Sequence, residues 1–162
     1  FLRLRHDKVR LPDGAPAWRE YLEHPGAVVM MAFLDDETIL LERQYRYPLR
    51  RHFVELPAGK LEPGEPHLET ARRELVEECG YEAAEWWQIA TLHPCVGYSD
   101  EVIELWGARG LAHVGACLDP GEHLEVFPAR IEDALEWVRE GLVSDTKTII
   151  GLLWWARFGR AR

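Results

Sequence analysis

The chain has 162 residues, of which 47% are apolar and 29% are charged, a composition typical of one globular domain that is long enough to bury a core. No stretch of about 18 apolar residues is present, so the sequence predicts no membrane-spanning helix. The net charge of −9 argues against nucleic acid as a partner, but not against a small phosphorylated ligand held through metal ions.

The first part of the chain has the character of two short strands. They are separated by a strong turn signal at Pro12-Asp13-Gly14, and the second ends at Pro25-Gly26. We expect residues 1–25 to form a small antiparallel sheet appended to a main domain at residues 26–162.

The main domain begins with strands. The continuous apolar run at 27–34 predicts a buried strand. Asp35-Asp36 predicts a turn, residues 38–48 the return strand, and residues 52–59 a further short strand. Beyond a helical region, strand character recurs at 85–94, 101–111 and 124–129.

Helical periodicity appears three times in the main domain. It marks residues 66–79, 131–141 and 144–158, with Ser144 or Asp145 as the expected N-cap of the last helix. The fold class is therefore α+β. The three cysteines are far apart and form no CxxC pair, which predicts reduced thiols and a cytoplasmic protein.

The first of these helices has an apolar stripe that would face the core. The stripe consists of Leu68, Ala71, Leu75 and Cys79. Its members recur at spacings of three or four, and Gly80 follows as a natural C-terminal stop.

The same helix carries three carboxylates, Glu74, Glu77 and Glu78, which we expect to form a ridge on the side away from the apolar stripe. Two interpretations are open. A solvated acidic face is common, but it usually interleaves basic residues, and here Arg72 and Arg73 precede the cluster. The alternative is a hard-cation site, because Mg²⁺ prefers carboxylate oxygens and takes further ligands from water and phosphate.

The loop before the helix is rich in turn residues. It would bring the backbone carbonyl of Ala58 near the carboxylates. Glu65 is well placed to accept hydrogen bonds from Arg73 and so to steady the loop against the helix.

This stretch resembles the Nudix box, a set of glycine, acidic, basic and apolar positions at fixed spacing. The matching positions are Gly59, Glu65, Arg73, Glu74, Leu75, Glu77, Glu78, Gly80 and Tyr81. All the polar and glycine positions match, and Tyr81 stands where an aliphatic residue is typical. The resemblance implies the Nudix α/β/α sandwich with a mixed sheet between helices.

The resemblance also implies a chemistry. Nudix proteins hydrolyse nucleoside diphosphates linked to another group, using Mg²⁺ or Mn²⁺. By resemblance, the metal ligands would be Glu74, Glu78, Glu77 and the carbonyl of Ala58. Glu77 would also tune the attacking water, and Arg73 belongs with it to the catalytic set. A divalent cation neutralises a pyrophosphate and activates water for attack.

Six segments extend the likeness to the ADP-ribose pyrophosphatases, in order and spacing: HPGAVVMM, LLERQYRYP, ELPAGK, HPCVGYSDE, EHLEV and SDTKT. In that group, Arg46 would contact the substrate, Glu101 would lie near the distal sugar, and Glu122 would assist as general base. From the residues alone, each of the three also fits an ordinary surface charge.

The resemblance further implies a homodimer. The N-terminal extension would be exchanged between subunits, and Trp18 would help to bind the adenine. One departure is plain, because Val96 replaces the marker proline of the group. That replacement leaves the exact substrate open.

Three hypotheses follow for function. The first is Mg²⁺-dependent hydrolysis of ADP-ribose to AMP and ribose 5-phosphate. The second keeps the chemistry with another nucleoside diphosphate sugar such as GDP-mannose, for which Val96 is the best support. The third is a non-catalytic Nudix binding domain, which fits poorly because every glutamate of the box is present.

Overall fold

The computed structural model describes residues 1–118, 121 and 123–159. The strands are β1 (Arg3–Arg10), β2 (Pro16–Glu23), β3 (Ala27–Ala32), β4 (Thr38–Arg46), β5 (Arg51–Glu55), β6 (Ala58–Lys60), β7 (Tyr81–Leu92), β8 (Ile103–His113) and β9 (Leu124–Arg130). The helices are α1 (His67–Cys79), α2 (Ile131–Arg139) and α3 (Thr146–Phe158), and a 3₁₀ turn covers Tyr47–Leu49.

Strand β3 lies at the centre of the molecule and is buried on both faces. It runs parallel to β8 and antiparallel to β6, in a four-stranded mixed sheet of order β6-β3-β8-β7. Val29 and Met31 join one core cluster with Leu152 of α3, while Met30 joins a second cluster with Leu75 of α1. The sheet therefore lies between helices, which confirms the predicted α/β/α sandwich with a mixed sheet.

The sequence predicts β4 as the return strand after β3, but the structure places β4 in a different sheet. It forms the centre of a separate three-stranded sheet of order β5-β4-β9, and an isolated bridge between Phe33 and Ile39 links it to the end of β3. Both faces of β4 are buried, because Leu41 packs in one core cluster and Leu40 in the other. A strand covered on both faces is stabilised best with a partner on each edge, and β5 and β9 provide these partners.

The predicted N-terminal sheet is confirmed as the antiparallel hairpin of β1 and β2. It joins the rest of the chain where the amide of Leu22 donates to the carbonyl of Tyr98 at 2.8 Å. The division at residue 25 into an extension and a main domain stays a prediction.

The helix ends also follow the sequence. Gly80 ends α1 in the left-handed region at φ 75°, and the Asp145 side chain caps α3 by accepting from the amide of Thr148. Strand β7 begins directly after this glycine, four residues earlier than the predicted start at Glu85. Within the described residues, no helix is long and apolar enough to cross a membrane.

Candidate functional site

One cavity of about 990 Å³ opens beside α1 and the loop before it. It is lined by side chains from α1, the end of β4, the start of α3 and the loops around β6 and after β7. Of the residues predicted from the sequence, those lining the cavity are Arg46, Ala58, Arg73, Glu74, Glu77, Glu78 and Glu101. The structure therefore brings seven predicted site residues to one space.

The guanidinium of Arg73 ties the loop to the helix. Its Nε and Nη2 donate to the two oxygens of Glu65 at 3.0 and 2.9 Å, as predicted. Its Nη1 donates to Glu74 at 3.0 Å and to Glu77 at 2.8 Å. The pKa of Glu65 is lowered to about 2, mainly because its carboxylate accepts hydrogen bonds from Arg73.

These contacts change the electrostatic interpretation of the helix. From the sequence alone, arginines placed before the cluster are expected to leave the repulsion between its carboxylates unrelieved. Arg73 instead reaches one turn along the helix to Glu77 and also pairs with its neighbour Glu74. Part of the repulsion is therefore relieved within the chain, by one side chain with five donors.

Glu78 does not lie on a solvated ridge. It is only 5% exposed, and its Oε2 accepts from the backbone amide of Ala58 at 3.2 Å. The expectation that all three carboxylates face away from the apolar stripe is therefore wrong for Glu78. The reason is helical geometry, because Glu78 follows Leu75 of the stripe by three residues and so borders it.

A second charged cluster lies in the wall of the cavity at the end of β4. Arg46 donates from Nε and Nη2 to the two oxygens of Glu55 at 2.7 and 2.8 Å. Lys147 donates to the same carboxylate, and it also pairs with Asp145 at 3.1 Å. Burial raises the pKa of Glu55, but the hydrogen bonds from Arg46 and the charge of Lys147 outweigh it and leave the pKa below its usual value.

Glu101 occupies a loop that follows β7. Its carboxylate Oε1 lies 3.6 Å from Nε2 of His24, and both residues line the cavity. The amide of Glu101 donates to the hydroxyl of Ser99, which in turn donates to the carbonyl of Leu22. The loop is thus held against the end of the N-terminal hairpin.

The NUDIX domain family matches residues 23–148, more than three quarters of the chain. The chain belongs to the Nudix family. It is a Nudix hydrolase, as the box from Gly59 to Tyr81 predicted.

Several relatives match nearly the whole Nudix chain. The ADP-ribose pyrophosphatase of Mycobacterium tuberculosis is 44% identical over 93% of this chain and 74% of its own length. The ADP-ribose pyrophosphatase of Bacillus subtilis is 41% identical over 88% of this chain and 78% of its own length. A methanol dehydrogenase activator of Bacillus methanolicus is 39% identical over 93% of this chain and 83% of its own length.

The fold has a close counterpart among solved structures. An ADP compounds hydrolase superposes with a TM-score of 0.85, covering 99% of this chain and 89% of its own. At 19% sequence identity, this likeness concerns the fold alone. It agrees with the Nudix sandwich that the sequence predicts.

Nudix hydrolases use divalent metals, and the residues of this cavity fit such an ion. Within the described residues, no three His, Cys, Asp or Glu side chains converge as a complete ligand group. A hard cation of the Mg²⁺ type needs few carboxylates, since water and phosphate complete its shell. The Glu74 side chain passes directly over Gly59, so that a Cβ at residue 59 would lie 1.9 Å from Cδ of Glu74. Glu78 accepts a hydrogen bond from the backbone amide of Ala58. Their oxygens share one cavity with space for a phosphorylated ligand.

Two other residues that the sequence analysis named lie away from this cavity, and a third is not described by the structure. Trp18 of the hairpin is 56% exposed and packs on His6 at 4.5 Å, and it is not among the described residues that line the cavity. Val96 is 84% exposed and is likewise absent from that lining. Glu122 lies outside the described residues.

Three residues at the cavity, Glu55, Lys147 and His24, are not predicted as site residues from the sequence. Each lies inside a segment quoted for the resemblance: Glu55 in ELPAGK, Lys147 in SDTKT and His24 in HPGAVVMM. The alternation of β4 offers a further signal, because Gln44 and Arg46 share one face of the strand and both line the cavity.

Proposed function

We propose that this Nudix hydrolase is a Mg²⁺- or Mn²⁺-dependent pyrophosphatase that splits ADP-ribose into AMP and ribose 5-phosphate. The observation that carries the proposal is the shared cavity, in which Glu74 and Glu78 occur together with Arg46 and Glu101. Its volume of about 990 Å³ suits a whole nucleoside diphosphate sugar, since ligand sites span roughly 300–1,000 Å³. The two ADP-ribose pyrophosphatase relatives support the same substrate.

The acidic wall would hold the metal. We assign Glu74, Glu78, Glu77 and the carbonyl of Ala58 as its protein ligands. When bound, the ion neutralises the pyrophosphate and activates water. Arg73 keeps Glu74 and Glu77 in place through hydrogen bonds of 3.0 and 2.8 Å and so limits their movement away from the cavity.

The remaining groups would hold the substrate. Arg46, oriented by the buried carboxylate of Glu55, is suited to donate to a phosphate oxygen, because a guanidinium presents several donors in one plane. Glu101 would accept from hydroxyls of the distal sugar. In the reaction, the oxygen of water bonds to phosphorus as the bond to the bridging oxygen breaks. We assign the proton of that water to Glu122.

Other elements of the proposal come from the resemblance alone. They are the homodimer, the role of Trp18 at the adenine and the cytoplasmic location. Because Trp18 does not line the cavity of its own chain, its role would require the hairpin to reach a partner subunit. All three stay predictions.

A second candidate substrate is another nucleoside diphosphate sugar such as GDP-mannose. The sequence feature that favours it is Val96 in place of the marker proline. Val96 is exposed and does not belong to the described cavity lining, so it would not contact a sugar that is bound in the cavity of its own chain. We therefore prefer ADP-ribose.

Product analysis tests the proposal. Purified protein is incubated with ADP-ribose and Mg²⁺, with a chelator control and with GDP-mannose in parallel. We expect AMP and ribose 5-phosphate, and neither product with the chelator. Turnover of GDP-mannose alone would reassign the substrate, and tight binding without turnover of either would favour the non-catalytic alternative.

A further inference from the structure

The N-terminus of α3 is bonded to the end of β5. The Asp145 side chain accepts from the amide of Thr148 at 3.0 Å and from its hydroxyl at 2.6 Å. The hydroxyl oxygen of Thr148 in turn accepts from the amide of Leu56 at 2.8 Å, and Thr148 and Leu56 are both fully buried. Leu56 directly follows Glu55 in the chain. The first turn of α3 and the segment that carries Glu55 therefore keep a fixed relative position.

Lys147, in this first turn, lies between two carboxylates. Its ammonium donates to Glu55 and pairs with Asp145 at 3.1 Å. The side chain is 14% exposed, a degree of burial that a lysine reaches only when its charge is paired. A long side chain that is held by two carboxylates loses its rotamer freedom, so the ammonium of Lys147 is a fixed charge in the cavity wall.

The buried carboxylate of Glu55 is shared by two cations. Arg46 donates to both of its oxygens, at 2.7 and 2.8 Å, and Lys147 donates to Oε2, which also accepts from Nη2 of Arg46. The Glu55 side chain is only 3% exposed, so water has little access to replace either partner. The orientation of this carboxylate, and with it the orientation of the guanidinium, therefore depends on the ammonium as well.

Two roles are open to a lysine in this position, contact with a phosphate or support of Arg46. The exposure of the two side chains favours support. Arg46 is 40% exposed and uses two of its five N–H groups on Glu55. Lys147 is 14% exposed and already has two carboxylate partners. Arg46 is thus the group that reaches a ligand, and Lys147 is the group that holds it.

We propose that Lys147 is a positioning residue, which holds Glu55 and, through it, the guanidinium of Arg46 at the phosphates of the substrate. The inference rests on the function proposed above and adds the N-terminus of α3 to the parts of the chain that define the site. Arg46 is the last residue of β4, so its guanidinium is oriented by contacts with other elements rather than by a continuing strand.

A double-mutant cycle separates support from direct contact, because residues that act through one another are not additive. Lys147→Met removes the ammonium and keeps an unbranched apolar chain. It is made in wild type and in the Arg46→Gln background. Lys147→Arg restores a cation between the two carboxylates. The control is Arg43→Met, which removes a charge from the same strand, where Arg43 pairs with Glu125 and lies outside the described cavity lining.

The probe is α,β-methylene ADP, which carries the two phosphates and no second sugar and cannot be cleaved between its phosphates. Dissociation constants are measured by calorimetry in Mg²⁺, and thermal unfolding of each variant reports on the fold. If Lys147→Met lowers the thermal midpoint by more than a few degrees, Lys147→Gln replaces it in both backgrounds. Hydrolysis of nucleoside diphosphate sugars is assayed separately.

We expect Lys147→Met to weaken binding about tenfold in wild type, the effect of losing one charged hydrogen bond. In the Arg46→Gln background the same change should alter the dissociation constant less than about twofold. Lys147→Arg should restore most of the affinity, and Arg43→Met should leave it unchanged.

Three results would overturn the inference. They are an equal loss in both backgrounds, which would mean that Lys147 contacts the ligand itself, no loss in wild type, and binding that does not depend on Arg46. A wild type that binds α,β-methylene ADP but hydrolyses no nucleoside diphosphate sugar would instead refute the proposed function. The coupling between Lys147 and Arg46 would still be measured in that case, because the cycle uses binding alone.

Discussion

The carboxylate of Glu74 lies over the backbone of Gly59, so closely that a Cβ at Gly59 would be 1.9 Å from Cδ and 2.1 Å from Oε1 of Glu74. A Cβ at this position would force the Glu74 side chain to move, so the constraint on residue 59 comes from that approach and not from its backbone angles. The glycine therefore determines where a proposed metal ligand can stand. A side chain at residue 59 would therefore displace the Glu74 carboxylate from the position it holds here.

Gly59→Ala should accordingly remove activity by displacing Glu74. We expect a loss of more than about tenfold in kcat/KM for ADP-ribose, because small displacements of metal ligands and their supports cost about 10–100-fold. The matched control is Gly97→Ala, where a Cβ meets nothing within 4 Å. Steady-state kinetics of both variants at several Mg²⁺ concentrations check the prediction, and an active Gly59→Ala enzyme would contradict it.

Glu78→Gln should separate activity from folding. Glutamine can still accept from the amide of Ala58, so the fold should survive, but it lacks the negative charge of a metal ligand. We expect at least about a 100-fold loss of activity, with a thermal midpoint within a few degrees of wild type. Glu69→Gln, on the exposed part of the same helix, is the control. Full activity of Glu78→Gln would refute the assignment of Glu78 as a metal ligand.

The sequence predicted the helix and its charged residues because both depend on local spacing. Residues four apart on a helix are neighbours, and the contact between Glu65 and Arg73 spans only one loop and two helical turns. Local spacing also predicted Gly80 and Asp145 at the helix ends. The burial of Glu78 was not predicted, because an acidic residue at the border of an apolar stripe can belong either to the buried face of the helix or to its exposed face.

The rest of the site depends on contacts between distant parts of the chain. Glu55 and Lys147 are 92 residues apart, and His24 and Glu101 are 77 apart. Their contacts require β4 to lie in the second sheet and the hairpin to dock on the loop after β7. The sequence pattern of β4 gave its strand character but not its partners, since a strand buried on both faces can pair on either edge.

Arg73→Lys should destabilise the loop before α1. Lysine has three donors on one nitrogen and cannot replace the four hydrogen bonds that the planar guanidinium of Arg73 makes to Glu65, Glu74 and Glu77. We expect a decrease of about 1–2 kcal/mol in the free energy of unfolding, measured by urea denaturation, and a higher Mg²⁺ requirement. Arg72→Lys, which changes one exposed pair with Glu69, should alter stability little. Equal effects of the two substitutions would show that the network adds nothing to stability.

The pKa of Glu65 predicts how stability depends on pH. Arg73 lowers this pKa from 4.5 to about 2, so the unfolded chain binds a proton at higher pH than the folded chain does. The contribution of Glu65 is therefore complete above pH 4.5 and is lost as the pH falls toward 2. We expect it to be roughly 1 kcal/mol, reduced by solvent screening because the pair is partly exposed. Urea denaturation of wild type and Glu65→Gln between pH 6 and pH 3 measures the difference, which should shrink on acidification. A difference that stays constant across this range would show that Glu65 and Arg73 do not form a stabilising ion pair.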